Sequence, residues 1–318
     1  MQKRIGRRLT AVLTVAGLAL LGAVGSATPV AAAKAGARAS VQVGRLILEP
    51  TERGYRGDLP VTVTNLGSTT DSFALQIAEP IAGSFRNAGP DAPCLTFDDM
   101  VDGRRTFECS PSLYLQPGET RQAVLSFEVL TTVRSYAMRA GSGTITATVY
   151  YQSAPAGRGD FGTLFRAADG KLNPTTPYVQ DSEIKASITA DDATLSRVAD
   201  GRWFGRVPMT VRYAGDAAHD DLWVDGIALP NGVRVWATDP DSGPATTDTR
   251  LNVPGHRFMP GEERSFDLVV VAPAETPAGD LGSATFEVGA MFFPIQQLSD
   301  ADPSDNTASV RLTAVDNS

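Results

Sequence analysis

From about residue 40 onward the chain is built of short runs in which apolar and polar residues alternate, broken by glycine, proline and asparagine. After Pro117-Gly118, the residues Ala123, Leu125, Phe127 and Val129 alternate with polar neighbours; after Pro260-Gly261, Phe266, Leu268, Val270 and Ala272 do the same. Val61 with Val63, and Met209 with Val211, mark two more runs of this kind. A period of two puts every second side chain on one face, so each run predicts a strand with one buried side. No long helical periodicity follows residue 33, and Gly (30) and Pro (21) are frequent, which predicts an all-β chain.

The runs recur in a fixed order. "GYRGDLPVTVTNLG" (54–67) lies over "RWFGRVPMTVRYAG" (202–215) at an offset of 148, with Tyr55 over Trp203, Pro60 over Pro208 and Gly67 over Gly215. "SFALQIAEP" (72–80) matches "LWVDGIALP" (222–230) at 150, "LQPGETRQAVLSF" (115–127) matches "FMPGEERSFDLVV" (258–270) at 143, and "GSGTITATVYY" (141–151) matches "GSATFEVGAMF" (282–292) at 141. Collinear matches with drifting offsets are what loop insertions in a duplicated domain produce. About seven alternating strands per copy predict a β-sandwich, two antiparallel sheets enclosing the apolar positions. The order strand, "VTVTNLGS", strand, "LQPGET", strand, ending in the second copy with "SDADPSDNTASVRLTAV", resembles the immunoglobulin-like repeat modules of bacterial secreted and surface proteins, especially the cell-adhesion-related domain found in bacteria. The resemblance implies two tandem immunoglobulin-like β-sandwich domains and a role in extracellular binding, adhesion or spacing, with no catalytic residue to carry over. The expected domains are 41–182 and 183–318. The turn-rich stretch 152–182 reads as a long surface loop, and the strand at 184–190 fits either the end of the first domain or the start of the second.

The first thirty-three residues carry Lys3, Arg4, Arg7 and Arg8, an apolar core from Leu9 to Val24, and Ala31 and Ala33 in the spacing of a signal-peptidase site. Residues 1–33 therefore read as a signal peptide, and the expected location is secreted: extracellular or held non-covalently at the cell wall, without membrane insertion after cleavage. Removal of the four cations lowers Lys plus Arg from 28 to 24 against 36 Asp plus Glu, a balance of −12. Such a field repels nucleic acid, and no run of Lys or Arg follows residue 33 to override it. The expected partner is a protein or polysaccharide of the cell envelope or extracellular space.

Candidate chemistry is sparse. His219 and His256 are the chain's two histidines and both read as solvated turn residues; no serine sits in a G-x-S-x-G elbow. The chain therefore reads as a non-enzyme, with an extracellular hydrolase using a carboxylate pair, or an accessory that assists assembly of an envelope complex, as alternatives. Asp300, Asp302 and Asp305 with Asn306 place several oxygens in one loop, which reads as turn chemistry or as a weak calcium site; no other cofactor is expected. Two Arg-Gly-Asp triplets, Arg56–Asp58 and Arg158–Asp160, resemble an integrin-recognition motif, the first before a strand and the second in the long loop. The repeat puts Trp203 over Tyr55 and Trp223 over Phe73, both as core residues. In "GVRVWATD", Val233 and Val235 point one way and Arg234, Trp236 and Thr238 the other, exposing an indole beside a guanidinium for a sugar ring or partner side chain.

The two cysteines, Cys94 and Cys109, stand fifteen apart. That spacing fits neither a C-x-x-C redox turn nor, with two distant histidines, a zinc site, and export makes a disulfide the default. A four-residue hairpin loop Met100–Gly103 would pair Asp99 with Arg104, Asp98 with Arg105 and Cys94 with Cys109. The fall in offset from 150 to 143 makes this hairpin, 94–109, an addition to the first copy.

Overall fold

A computed structural model describes residues 37–89, 92–150, 154–243, 247–294 and 297–316; the signal-peptide reading lies outside them. In the first half the strands are β1 (Ala39–Val43), β2 (Leu46–Thr51), β3 (Gly54–Asn65), β4 (Asp71–Ala78), β5 (Phe85–Asn87), β6 (Cys94–Val101), β7 (Arg104–Leu115), β8 (Thr120–Val129), β9 (Ala137–Val149), β10 (Pro155–Phe165) and β11 (Thr175–Pro177). The second half contains β12 (Ala186–Ala190), β13 (Ala193–Arg197), β14 (Trp203–Tyr213), β15 (Asp221–Ala228), β16 (Arg234–Asp239), β17 (Arg250–Asn252), β18 (Glu262–Ala272), β19 (Gly279–Met291) and β20 (Thr307–Val315). Among the described residues the helical structure is one short 3-10 turn, Pro303–Asp305.

The strands form two sheets. One runs β5-β8-β3-β2-β10-β9-β4-β7-β6, with β1 added on β3 and β11 on β9; the other runs β16-β18-β14-β13-β20-β19-β15-β17, with β12 on β14. Strand for strand the two orders coincide, with β6 and β11 as the additions of the first. Each repeated sequence segment occupies the same place in both: β3 and β14, β4 and β15, β8 and β18, β9 and β19. Both copies also share a switch. β1 and β12 pair antiparallel with the following long strand, whereas β2 and β13 pair in parallel with the last one, Leu46 opposite Thr163 and Ala193 opposite Leu312.

In each half the strands are linked into one continuous sheet that includes a parallel pair, where two separate antiparallel sheets are expected, and that sheet bends round its own apolar core. Phe85 on β5 and Phe107 on β7 lie far apart in the strand order, yet their ring centroids are 4.5 Å apart. Leu125 and Phe127 in the first half, and Leu268 and Val270 in the second, have no solvent exposure, as the alternation requires. Burial of each such side chain contributes about 1.5–3 kcal/mol. Trp203, Trp223, Tyr55 and Phe73 are all buried, so the aromatic equivalences of the repeat hold as core positions.

Several expectations change. The first strand starts at Ala39, two residues before the expected boundary. Residues 152–182 are not one loop: β10 runs antiparallel to β9, with Ala156, Phe161 and Phe165 buried. Its alternation is hidden because glycines stand where apolar residues would. A Cβ on Gly157 would lie 2.3 Å from the Ala39 carbonyl oxygen, and one on Gly159 3.1 Å from that of Val41, so the approach of β1 demands them. Arg158 and Asp160 consequently lie in a strand and pair with each other at 3.0 Å, and Arg56–Asp58 lies within β3. The strand at 184–190 belongs to the second sheet, β12 pairing with β14 from Ala186↔Tyr213 to Ala190↔Met209.

Cys94 and Cys109 form the disulfide, Cα–Cα 4.1 Å, as directly opposed residues. The expected hairpin loop is wrong. Val101 faces Arg104 and Met100 faces Arg105 across a two-residue Asp102-Gly103 turn, both residues with positive φ. An irregularity between Thr96 and Met100 then shifts the register by two and restores the cysteine pairing.

The halves meet in a polar joint. Arg105, 6% exposed, contacts the fully buried Glu79 carboxylate at 3.3 Å and Asp220 of the second half at 2.9 Å, and its guanidinium lies 4.4 Å from the Phe292 ring centroid. Arg257 reaches back to Glu128 (3.2 Å) and to the Gly83 carbonyl (3.2 Å). Thr131 and Tyr178 donate to the Asp216 carboxylate at 2.7 and 3.1 Å, and the Gln180 amide donates to the Asp216 carbonyl.

Candidate functional site

β16 is an end strand of its sheet. Its pairing passes from Val235↔Val270 directly to Ala237↔Val269, which makes Trp236 the extra residue of a β-bulge. Bulges re-aim side chains, and this one leaves the indole 49% exposed. The same bulge overturns one expectation: Thr238 turns inward, is buried, and donates to Ser242 Oγ at 2.8 Å. Arg234 does share the Trp236 face, its guanidinium carbon 5.5 Å from a ring centroid of Trp236.

The structure adds two residues that the strand pattern did not single out. Arg202, in the turn before β14, lies 5.8 Å from Trp236 and 5.5 Å from Phe204, and the Phe204 ring meets the indole edge-on at 6.5 Å. Alternation along β14 marks Phe204 as outward-facing; its meeting with Trp236 depends on β18 lying between them. Asp200 accepts from Arg202 and fixes it. Arg234 has no acidic partner among the described residues. Beside the aromatic pair opens a groove of about 410 Å³, lined by Arg202, Gly232, Arg234, Pro273, Ala274 and Glu275 among others. Guanidinium groups over exposed aromatic faces contribute about 0.5–1 kcal/mol each and offer flat apolar area with donors at its rim.

The first copy treats the equivalent place differently. Its pairing breaks at the same point, between Phe85↔Phe127 and Asn87↔Ser126, which puts Arg86 where the second copy has Trp236. Arg56 stands in place of Phe204, and Glu128 in place of Val271. Here Glu128 accepts from Arg56 (3.0 Å) and Arg86 (3.1 Å) of its own half and from Arg257 of the other.

The Asp300 and Asp302 carboxylates are occupied with backbone N–H groups, and Asp305 closes the 3-10 turn. Asp300 accepts from the backbone N–H groups of Ala186 (3.0 Å) and Asp302 (2.8 Å), and Asp302 caps the 3-10 turn through Ser304. The Ser304 hydroxyl and N–H hold the Asp302 carboxyl below its usual range, whereas burial and then the charges of Asp302 and Asp300 push Asp305 up. Among the described residues no group of three or more His, Cys, Asp or Glu side chains is placed to hold a metal ion.

His256 is solvated as expected, but His219 is not. It is 3% exposed, packed 4.5 Å from the Tyr213 ring; Nδ1 donates to the Ala217 carbonyl at 3.0 Å and Nε2 accepts from the Phe258 N–H at 2.9 Å. Accepting at Nε2 requires the neutral ring, and burial lowers its pKa below the ordinary 6.5. The unfolded chain therefore takes up the proton first as pH falls. Stability from this site is complete above pH 6.5 and falls below it by up to about 1.4 kcal/mol per pH unit until the folded ring titrates. Urea unfolding at pH 7.5 and 5.5 should show this loss in the native protein and a smaller one in His219→Gln; equal slopes would refute it.

No protein-family model and no curated protein matches the chain. Among solved structures, the partial N-terminal region of an enterococcal surface protein is similar at 10% identity over 87% of this chain and 94% of its own, with a TM-score of 0.27. The CupB6 tip adhesin from Pseudomonas aeruginosa is similar at 11% identity over 86% and 92%, TM-score 0.26. A Porphyromonas gingivalis protein of unknown function is similar at 13% identity over 86% and 98%, TM-score 0.20. Likeness at this level carries no conclusion about activity or partners, and the functional reading rests on the chain's own residues.

Proposed function

We propose that the mature chain is an exported, non-catalytic binding module made of two tandem immunoglobulin-like β-sandwiches, 39–182 and 183–318, that engages a protein or polysaccharide of the cell envelope or extracellular space. The observation that carries this reading is the bulged end strand with Trp236, Phe204, Arg202 and Arg234 gathered on one exposed face. An indole left half-exposed on a bulged end strand, beside a guanidinium with no acidic partner among the described residues, is the composition of a binding hot spot. The Cys94–Cys109 disulfide supports an oxidising compartment, and the two separate cores with one strand order support two domains.

The test is capture of cell-wall material, purified polysaccharides and secreted proteins by the mature protein and by Trp236→Ala. Capture should fall roughly tenfold or more in the variant, the loss expected of a hot-spot aromatic. Turnover of a glycoside or ester panel by a protein that captures nothing would overturn the reading.

A further inference from the structure

The joint between the two halves has a counterpart at each free end of the molecule. On the first half it is built from the Gly83 carbonyl, Glu128 and Thr131, which hold Arg257 and Asp216 of the second half. By strand register Glu128 corresponds to Val271, and the same offset takes Thr131 to Ala274; Gly83 and Gly232 are the turn glycines, φ 71° and 80°, before the bulged strand. Val271, Ala274 and Gly232 all line the groove beside Trp236. The groove is thus the second half's copy of the surface on which, in the first half, the next module sits.

The inserting side is repeated as well. In the second half it consists of the loop 214–220 and Arg257, just before Phe258. The corresponding loop of the first half begins at Leu66, whose N–H bonds Arg38 as that of Ala214 bonds Lys185, and Arg257 corresponds to Tyr114, just before Leu115. Tyr114 is 64% exposed at the place where its equivalent, Arg257, is engaged in the joint, and Leu66, 45% exposed, opens the loop whose counterpart supplies Asp216. One end therefore presents an exposed leucine and tyrosine, and the other a groove flanked by indole and guanidinium groups, Arg234 among them with no acidic partner among the described residues.

We infer that the Trp236 face binds the Leu66 and Tyr114 end of a second copy of this chain, repeating between molecules the joint found within one. The inference rests on the preceding reading that this face is a binding surface and names its partner. The contact is heterologous, head to tail, and leaves a free end on each side, so it generates an open chain of molecules rather than a closed dimer. The chemistry has changed from the internal joint. There Arg257 meets Glu128; between molecules Tyr114 meets Arg234 and Trp236, an aromatic–guanidinium contact in place of an ion pair, and less sensitive to salt.

Within the chain the joint is assisted by a tether that supplies an effective concentration of about 1 mM, so the untethered contact is to be sought at that concentration. The experiment is sedimentation velocity of the mature protein in a series up to about 1 mM, with Trp236→Ala, Tyr114→Ala and an equimolar mixture of the two. Both changes lie on exposed side chains, and an unchanged melting temperature checks folding. Expected are a concentration-dependent series of dimers and longer species for the native protein, monomers for each variant, and a one-to-one dimer that grows no further for the mixture, since each variant keeps one intact end. Monomers throughout the native series would overturn the inference, as would a dimer that both variants preserve or a mixture that fails to associate. If the native chain stays monomeric while capture of a polysaccharide depends on Trp236 and not on Tyr114, the partner named here is wrong and the binding face stands.

Discussion

Replacing Arg105 with methionine is expected to lower stability by about 3–5 kcal/mol, the largest effect of any single substitution considered. Methionine keeps most of the packing against Phe107 and Phe292, so the loss comes from charge. Glu79 has no solvent exposure and would keep its three backbone donors, the N–H groups of Gly83, Phe85 and Arg105, but not its counter-ion. Asp220 would keep the Phe293 N–H as its one hydrogen-bond donor among the described residues. Removing one partner of a buried pair leaves the other charge uncompensated, which costs more than the pair contributed. Urea unfolding of Arg105→Met against the double change with Glu79→Gln is the measurement: the second change should recover part of the loss. A single-variant effect below about 1 kcal/mol would mean that water reaches Glu79 and that the joint is soft.

The second large effect belongs to the disulfide. Loss of the Cys94–Cys109 bond should destabilise the first half by about 3 kcal/mol, the chain-entropy value for a loop of this size. Cys109 is fully buried within the first core and Cys94 packs against it, while β6, which the bond ties to β7, has no counterpart in the second sheet. Thermal unfolding of Cys94→Ser with Cys109→Ser should therefore show an early transition for the first half and an unmoved one for the second. One transition shifting as a whole would show that the joint makes the halves a single cooperative unit, against the two-domain reading; two titratable thiols in the native protein would remove the disulfide altogether.

Legibility in the sequence followed the range of the interaction responsible. Alternation at Ala123–Val129 and Phe266–Ala272 is a property of a few adjacent residues, so strand identity, the buried face and the repeat could be read directly, and with them the core positions of Trp203 and Trp223. β10 carries no legible alternation because β1 crosses it so closely that Gly157 and Gly159 replace the apolar residues that would mark it. Simple alternation puts Thr238 on the Trp236 face, whereas the one inserted residue, Trp236, turns it inward. His219 looked like a solvated turn residue, and its burial comes from Phe258 and Tyr213, respectively 39 and six positions away.

By itself the sequence determined an all-β chain with a duplicated strand pattern, a cysteine pair suited to a staple, and an exposed Trp236 beside Arg234. Only the tertiary structure decided the hairpin register, the joint through Arg105 and Arg257, and the gathering of Arg202 and Phe204 around the indole. The reason is physical: a period of two is written in neighbouring residues, whereas bulges, close strand crossings and ion pairs between halves depend on which distant backbone arrives at a given place.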